Sequence, residues 1–157
     1  MNPNYLTKDE LLYELGIRGI DSGADTHSLR KLFRSIANRD LPLNVSYLTS
    51  ASIEALYLCV FNKVSELQDL VVRSGTNWSL VAPRVSTKLR HLRGRLRHLT
   101  EAGLGCSPGE LLGVRELQSR LDLMEQHTAA RRSEAEHIGQ LPSDQMGGDA
   151  GSEFCSF

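Results

Sequence analysis

The residues best suited to chemistry in this sequence are six cations that lie close together between Arg84 and Thr100. The same segment contains no acidic residue, and a concentrated basic stripe is typical of surfaces that bind nucleic-acid phosphates. The structural alternative is that these side chains cover the edges of a helix seam and pair with Glu54, Glu66 and Asp69 of a neighbouring helix. We favour the structural alternative, because the preceding predicted helix is acidic where this one is basic. The six cations are Arg84, Lys88, Arg90, Arg93, Arg95 and Arg97.

Two histidines in the same segment could suggest a metal site. His91 and His98 are seven residues apart and share a helix face, but two histidines on one helix chelate an ion only at a spacing of three or four residues. We therefore expect both rings to be solvated. Cys59, Cys106 and Cys155 are far apart and odd in number, which indicates reduced thiols rather than a disulfide framework or a zinc site.

Sequence motifs of enzymes are absent. The sequence contains no GxSxG nucleophile elbow, no glycine-rich phosphate loop and no paired-carboxylate signature. We therefore expect no catalytic residue, no cofactor, no metal ion and no small-molecule substrate.

The composition is typical of a globular helical protein. Hydrophobic residues make up 40% of the chain but aromatic residues only 6%, so leucine supplies most of the apolar surface. The net charge of −1 gives no overall attraction to nucleic acid or to a membrane. The sequence has neither a basic and apolar leader nor a run of about 18 apolar residues. We therefore expect an intracellular protein of the cytoplasm or nucleus, with no membrane partner.

The elements that position these residues are predicted to be helices, and residues 5–38 are predicted to form a helix-turn-helix. Thr7 and Glu10 have the spacing of a capping box at the start of the first helix. Asp25 or Thr26 caps the second helix. Each helix carries one apolar stripe, and the two stripes can be buried against each other.

Residues 50–102 are predicted to form an antiparallel pair of long helices. Apolar residues recur in both at alternating steps of three and four, which is the spacing of a coiled-coil seam. Gly75 suits the left-handed cap between the helices, and Pro83 is expected in the first turn of the second helix. Because a two-helix pair leaves a second apolar side, we expect the chain to bind itself or another helical protein. The predicted seam consists of Ile53, Val60, Val64, Leu67, Val71, Val85, Leu89, Leu92, Leu96 and Leu99.

A further helix is predicted over residues 107–136. Ser107 and Glu110 form a second capping box at its start, and its apolar pattern fades beyond Gln126. Residues 139–157 are rich in glycine, serine and acidic residues, which predicts a disordered tail. The predicted fold is therefore all-α: a helical hairpin, an antiparallel pair of long helices, one further helix and a tail.

The N-terminal hairpin resembles a SAP motif, a helix-turn-helix of chromatin proteins that bind DNA. The resemblance covers about residues 6–36 and implies DNA binding by the hairpin. Ala24 and Asp25 stand where the family usually has a lysine. The matching residues are Leu6, Thr7, Glu10, Leu11, Leu15, Arg18, Gly19, Ile20, Ser22, Gly23, Leu29 and Leu32.

The order of the parts is similar to the N-terminal region of Gag-like polyproteins from arthropod LTR retrotransposons. Over roughly residues 6–100, the hairpin LTKDELLYELGIRG is followed by a helix that ends in ELQDLV and then by KLRHLRGRLRHL. In such polyproteins a capsid domain follows, often with a CCHC zinc knuckle. Neither follows here, so we expect an N-terminal fragment or a shortened, domesticated derivative.

Three functional hypotheses follow from these patterns and resemblances. The leading one is a non-enzymatic Gag-like module for protein interaction and self-assembly. The second is an adaptor that binds nucleic acid through the SAP-like hairpin and the arginine-rich helix, and the third is a domesticated host regulatory factor. The candidate nucleic-acid contacts are Arg18, Arg30, Lys31, Arg34, Lys88, Arg90, Arg93 and Arg97.

Overall fold

The computed structural model of the chain describes residues 1–50, 52–101 and 107–138. Within these residues the fold is all-α, as predicted, and contains no strand. Two one-turn 3₁₀ helices lie at Pro3–Tyr5 and Gly75–Asn77. The predicted tail, 139–157, lies outside the described residues. The α-helices are α1 Lys8–Gly16, α2 Thr26–Ile36, α3 Val45–Thr49, α4 Ile53–Arg73, α5 Trp78–Glu101 and α6 Pro108–Ile138.

Helices α1 and α2 form a hairpin around a small core of their own. The backbone N–H of Thr7 donates to the Glu10 carboxylate at 2.8 Å, which is one of the two bonds of the predicted capping box. Asp25 caps α2 by accepting from two backbone N–H groups. Gly19 turns the chain between the helices with a φ of +73°, a conformation that favours glycine. The hairpin core consists of Leu6, Leu11, Leu15, Leu29, Phe33 and Ile36.

Helix α3 is a short element that the sequence analysis did not predict. It packs on the back of α1, where Leu48 forms a small buried cluster with Tyr13 and Ile17. The backbone N–H of Asn44 donates to the Ile17 carbonyl at 2.7 Å and fixes the start of this segment. Helix α3 therefore belongs with the hairpin, and we call residues 1–50 the N-terminal unit.

Helices α4, α5 and α6 form a three-helix bundle. Helix α4 reverses into α5 through a turn in which Gly75 has a φ of +43°, as its predicted left-handed role requires. Helix α6 packs against both, antiparallel to α5 and parallel to α4. It supplies the partner that the predicted pair lacked. Its contributions to the bundle core are Val114, Leu117, Leu121 and Met124.

The predicted seam is the centre of this bundle, with one exception. Nine of the ten seam residues are buried, but Ile53 is only half-buried because it is the first residue of α4. The start of the second long helix also differs from the prediction. Helix α5 begins five residues before Pro83, since the 3₁₀ turn leads directly into it and Trp78 is buried. Pro83 therefore removes one backbone hydrogen bond inside the helix.

The last helix continues beyond the point where its apolar pattern fades. Polar contacts replace the apolar ones there: Thr128 is buried, and Arg131 donates to the Ser74 hydroxyl at 3.2 Å. The Arg131 guanidinium also lies 5.2 Å from the centre of the Trp78 ring. These contacts hold the end of α6 against the turn between α4 and α5.

Candidate interaction surfaces

Helix α1 packs on α5 through polar side chains that are almost completely buried. Glu14 is 4% exposed, and its two carboxylate oxygens accept from different parts of the chain. Arg18, in the turn directly after α1, donates to one oxygen at 2.7 Å, and Nδ1 of His91 on α5 donates to the other at 2.7 Å. Burial acts to raise the pKa of Glu14, but these two partners outweigh it and hold the pKa below its ordinary value. The carboxylate is therefore ionised and fully paired across the interface.

Glu10 forms a second ion-pair centre one turn earlier in α1. Its side chain is 1% exposed and contacts Lys88 of α5 and, at 3.5 Å, Lys63 of α4. Lys63 also pairs with Asp9 at 2.7 Å. Burial acts to raise the pKa of Glu10, yet the Lys88 and Thr7 contacts bring it below its ordinary value. Glu10 thus joins α1 to both long helices of the bundle.

Tyr13 lies between the two carboxylates and completes the interface. Its hydroxyl is 3.1 Å from Nδ1 of His98, and the Arg95 guanidinium lies 4.0 Å from the ring centre. Burial raises the pKa of Tyr13 and lowers that of His98, so both groups are neutral near pH 7. The tyrosine O–H can therefore donate to the neutral imidazole.

The expectation that His91 and His98 are solvated was wrong. Their exposed fractions are 0% and 5%, because the N-terminal unit covers this face of α5. Nε2 of His91 is buried without a hydrogen-bond partner among the residues that the structure describes. The two rings do lie on one side of α5, as the seven-residue spacing indicates, but that side packs against α1 rather than facing water. A signal was present in α1, where Glu10, Tyr13 and Glu14 share one face that complements these histidines.

The acidic partners of the basic helix also differ from those predicted. Lys88 pairs with Glu10 of α1, and Arg93 pairs with Asp122 and Glu125 of α6. The predicted partner Asp69 instead lies 3.2 Å from Arg73 of its own helix. Pairing within the molecule therefore accounts for much of the basic segment, but through α1 and α6 rather than α4.

Arg90 and Arg97 of α5, together with Arg93, line a groove between α5 and α6 with a volume of about 860 Å³. Arg90 has no ion-pair partner among the described residues, and Arg97 has only the exposed Glu101 at 3.6 Å. The groove is unfilled next to Gly94, since a Cβ built there would meet no described atom within 4 Å. The groove is lined by Ser86, Leu89, Arg90, Arg93, Gly94, Arg97, Gln118, Asp122, Glu125, Thr128, Ala129 and Arg132.

Some of the candidate nucleic-acid contacts in the N-terminal unit already contact other residues of that unit. Arg18 pairs with Glu14, as described above, and Arg30 donates to the Pro3 carbonyl at 3.2 Å. Arg34 donates to the side chain of Asn4. Lys31 is exposed and has no hydrogen-bond or ion-pair partner within the described ranges. The structure therefore does not bring the predicted nucleic-acid contacts together: the arginines of the groove and the cations of α2 lie on different units.

Exposed apolar side chains mark the outer faces of α4 and α6. Leu112 and Leu123 of α6 are 68% and 65% exposed. They are eleven residues apart, which at about 100° per residue places both on the side of α6 opposite Leu121 in the core. Helix α4 carries three further residues of this kind on its outer side. They are Leu58, Phe61 and Val72.

No family model, curated protein or solved structure matches this chain. Among the residues that the structure describes, no group of three or more His, Cys, Asp and Glu side chains is arranged to hold a metal ion. None of the described helices combines the length and apolar character that crossing a membrane requires.

Proposed function

We propose that the chain is a non-enzymatic, Gag-like protein-interaction module that acts by self-assembly. The observation that carries this proposal is the set of exposed apolar side chains on the outer faces of α4 and α6. The bundle core is already filled by α4, α5 and α6, so these side chains are available to a partner. The resemblance of residues 6–100 to the N-terminal regions of Gag-like polyproteins supports the same function.

Helix α6 offers the clearest surface for such an interaction. Leu112 and Leu123 lie about 16 Å apart along one line of the helix, at 1.5 Å per residue. Burying a largely exposed leucine contributes about 1–2 kcal/mol, and a twofold-symmetric dimer buries each residue twice. An interface centred on this line therefore gains several kcal/mol from leucine alone.

Sedimentation of the full chain at micromolar concentrations tests self-assembly. We expect dimers or larger species for the native sequence and a shift to monomer for Leu112→Glu, with helix content unchanged by circular dichroism. Leu80→Glu is the matched control, because Leu80 is 79% exposed but lies near the start of α5. Only monomer in the native sequence up to about 100 μM, or equal dissociation by both variants, would contradict the proposal.

The groove between α5 and α6 favours a second candidate function, nucleic-acid binding. Four guanidinium groups line it, from Arg90, Arg93, Arg97 and Arg132, against the two carboxylates of Asp122 and Glu125. An excess of cations along an open groove suits a phosphate backbone. Phosphate contacts make affinity fall steeply with salt, by about 0.9 log units per neutralised phosphate per log unit of salt for duplex DNA.

Titration of labelled single-stranded and duplex oligonucleotides between 50 and 200 mM salt tests this candidate. The double variant R90E/R97E should lose at least about tenfold in affinity and flatten the salt dependence. K31E/R34E is the control, since it changes two exposed cations of α2 outside the groove. Loss of affinity only in the α2 variant would move the site to the hairpin, and no binding at 50 mM salt would remove the candidate.

A further inference from the structure

The N-terminal unit and the bundle meet through ionisable side chains rather than through a shared apolar core. We propose that this contact is a proton-sensitive latch: acid separates the N-terminal unit from the bundle while each of them remains folded. This inference goes beyond the proposed self-assembly and does not depend on it.

Each unit has a hydrophobic core of its own. The hairpin core draws only on residues 6–36 and the bundle core only on residues 60–124, with no residue in common. The N-terminal unit ends with α3, and α4 begins at Ile53, so a short connector joins the two. Separation therefore divides neither core, which is the condition for a folded, detached state.

The contact between the units is also incompletely packed. Two grooves run along it, of about 340 Å³ beside Glu10 and about 460 Å³ beside Leu6. The specific contacts between them are ion pairs and hydrogen bonds. The titratable and charged groups at this contact are Asp9, Glu10, Tyr13 and Glu14 of α1, Arg18 directly after α1, Tyr47 of α3, Lys63, Glu66, Asp69 and Arg73 of α4, and Arg84, Lys88, His91, Arg95 and His98 of α5, with the charges of Arg97 and Glu101 near His98 on the same helix.

His98 gives the latch its response to mild acid. Burial lowers its pKa below the ordinary value of 6.5, and the charge of Arg97 lowers it further. A lowered pKa means that the neutral ring favours the docked state, so its contribution is complete above about pH 6.5 and is lost as the pH falls through the lowered pKa. Protonation also removes the acceptor for the Tyr13 hydroxyl and places a new cation near Arg95.

The two buried carboxylates extend the response into stronger acid. Burial acts to raise the pKa values of Glu10 and Glu14, but the contacts of Glu10 with Lys88 and Thr7, and those of Glu14 with His91 and Arg18, bring both below the ordinary 4.5. Their contribution is therefore complete above pH 4.5 and is lost as the pH falls through the lowered values. Protonation leaves Lys88, His91 and Arg18 without an anionic partner at the contact. Opening should begin below pH 6.5 and be complete in stronger acid.

NMR of the full chain between pH 8 and pH 4 tests the latch, with labelled Tyr13 as the reporter of docking. Phe33 reports the hairpin core and Leu121 the bundle core. We expect the Tyr13 ring signals to move toward those of a solvated tyrosine below pH 6.5, while Phe33 and Leu121 keep their native shifts. Tyr13 signals unchanged down to pH 4, or loss of all three sets at the same pH, would overturn the proposal.

Three variants assign the response to the latch. Glu14→Gln removes one buried charge at nearly constant shape and should shift Tyr13 to its solvated position already at pH 7.5. His98→Phe has no group that can be protonated at this position and should move the opening to lower pH. If Glu14→Gln loses the native Phe33 or Leu121 signals, that variant does not fold, and the result of His98→Phe then tests the latch. Glu116→Gln changes an exposed carboxylate of α6 and should match the native sequence. A docked Glu14→Gln together with an unshifted His98→Phe would refute the latch.

Discussion

The Glu14 carboxylate illustrates what a buried charge needs in this protein. A carboxylate removed from water is costly unless its oxygens accept hydrogen bonds, preferably from cationic donors. Arg18 satisfies one oxygen from the turn directly after α1, but the other depends on His91, 77 residues further along the chain. The imidazole is therefore the donor that reaches the carboxylate from α5.

His91→Ala should destabilise the docked protein strongly. It leaves one Glu14 oxygen buried without its donor and opens a cavity in the space that the ring fills, at a cost of about 3 kcal/mol. Urea unfolding followed by circular dichroism at pH 7.5 measures this cost. His127→Ala is the matched control, because His127 is exposed on α6, and it should change the free energy by less than about 0.5 kcal/mol. Equal midpoints for the two variants would show that the Glu14–His91 bond contributes little.

Helix α5 carries cations on two sides that serve different contacts. Lys88 and Arg95 face the N-terminal unit, while Arg90 and Arg97 line the groove next to α6. Gly94 lies on the groove side in the middle of the helix, where glycine costs stability because it loses more backbone entropy on folding than other residues.

Two glycine substitutions separate helix propensity from backbone strain. A Cβ at Gly94 or at Gly75 would meet no described atom within 4 Å, but only Gly75 has a positive φ. Gly94→Ala should therefore raise the free energy of unfolding by about 1 kcal/mol, whereas Gly75→Ala should lower it by about 1 kcal/mol. Urea midpoints at fixed pH provide the measurement. A loss of stability in Gly94→Ala would mean that the groove does not accommodate a side chain at position 94.

Local patterns were sufficient to predict most of the long elements. The capping residues placed the starts of α1, α2 and α6, and the steps of three and four identified the residues that α4 and α5 bury. Helix α3 was missed because its five residues are too short to show an apolar period. Pro83 predicts too late a start for α5, because proline is typical of a first helical turn and here the 3₁₀ turn before Trp78 already begins the helix.

The candidate site was harder to predict because its contacts are long-range. A histidine on a helix has the same sequence signature whether it faces water or a second unit. Tyr13 and His98 are separated by 85 residues, so the burial of His98 depends on how the two units dock. The eight candidate phosphate contacts are the cations of the SAP-like hairpin and of the arginine-rich helix, and charge does not distinguish Arg90, which lines a groove, from Lys88, which is held by Glu10.

At the scale of the whole molecule, the described residues form a hairpin unit and a three-helix bundle, and the two differ in the sequence separation of the residues that make up their cores. The hairpin core closes within residues 6–36, and the bundle core brings together residues 60–124. Between them lies a contact made of paired charges and hydrogen bonds, with the outer faces of α4 and α6 on the bundle alone. The assembly that we propose through those faces would therefore not depend on whether the N-terminal unit is docked or released.

The self-contained hairpin core also bears on how the chain is synthesised. Because the ribosome releases the N-terminus first, every residue of that core is available before α5 has been made. Loop-closure entropy delays contacts between distant residues, so the nascent hairpin should fold early and keep Glu10 and Glu14 hydrated until their partners on α5, Lys88 and His91, are translated. Dehydration of those two carboxylates would then be among the last events of folding.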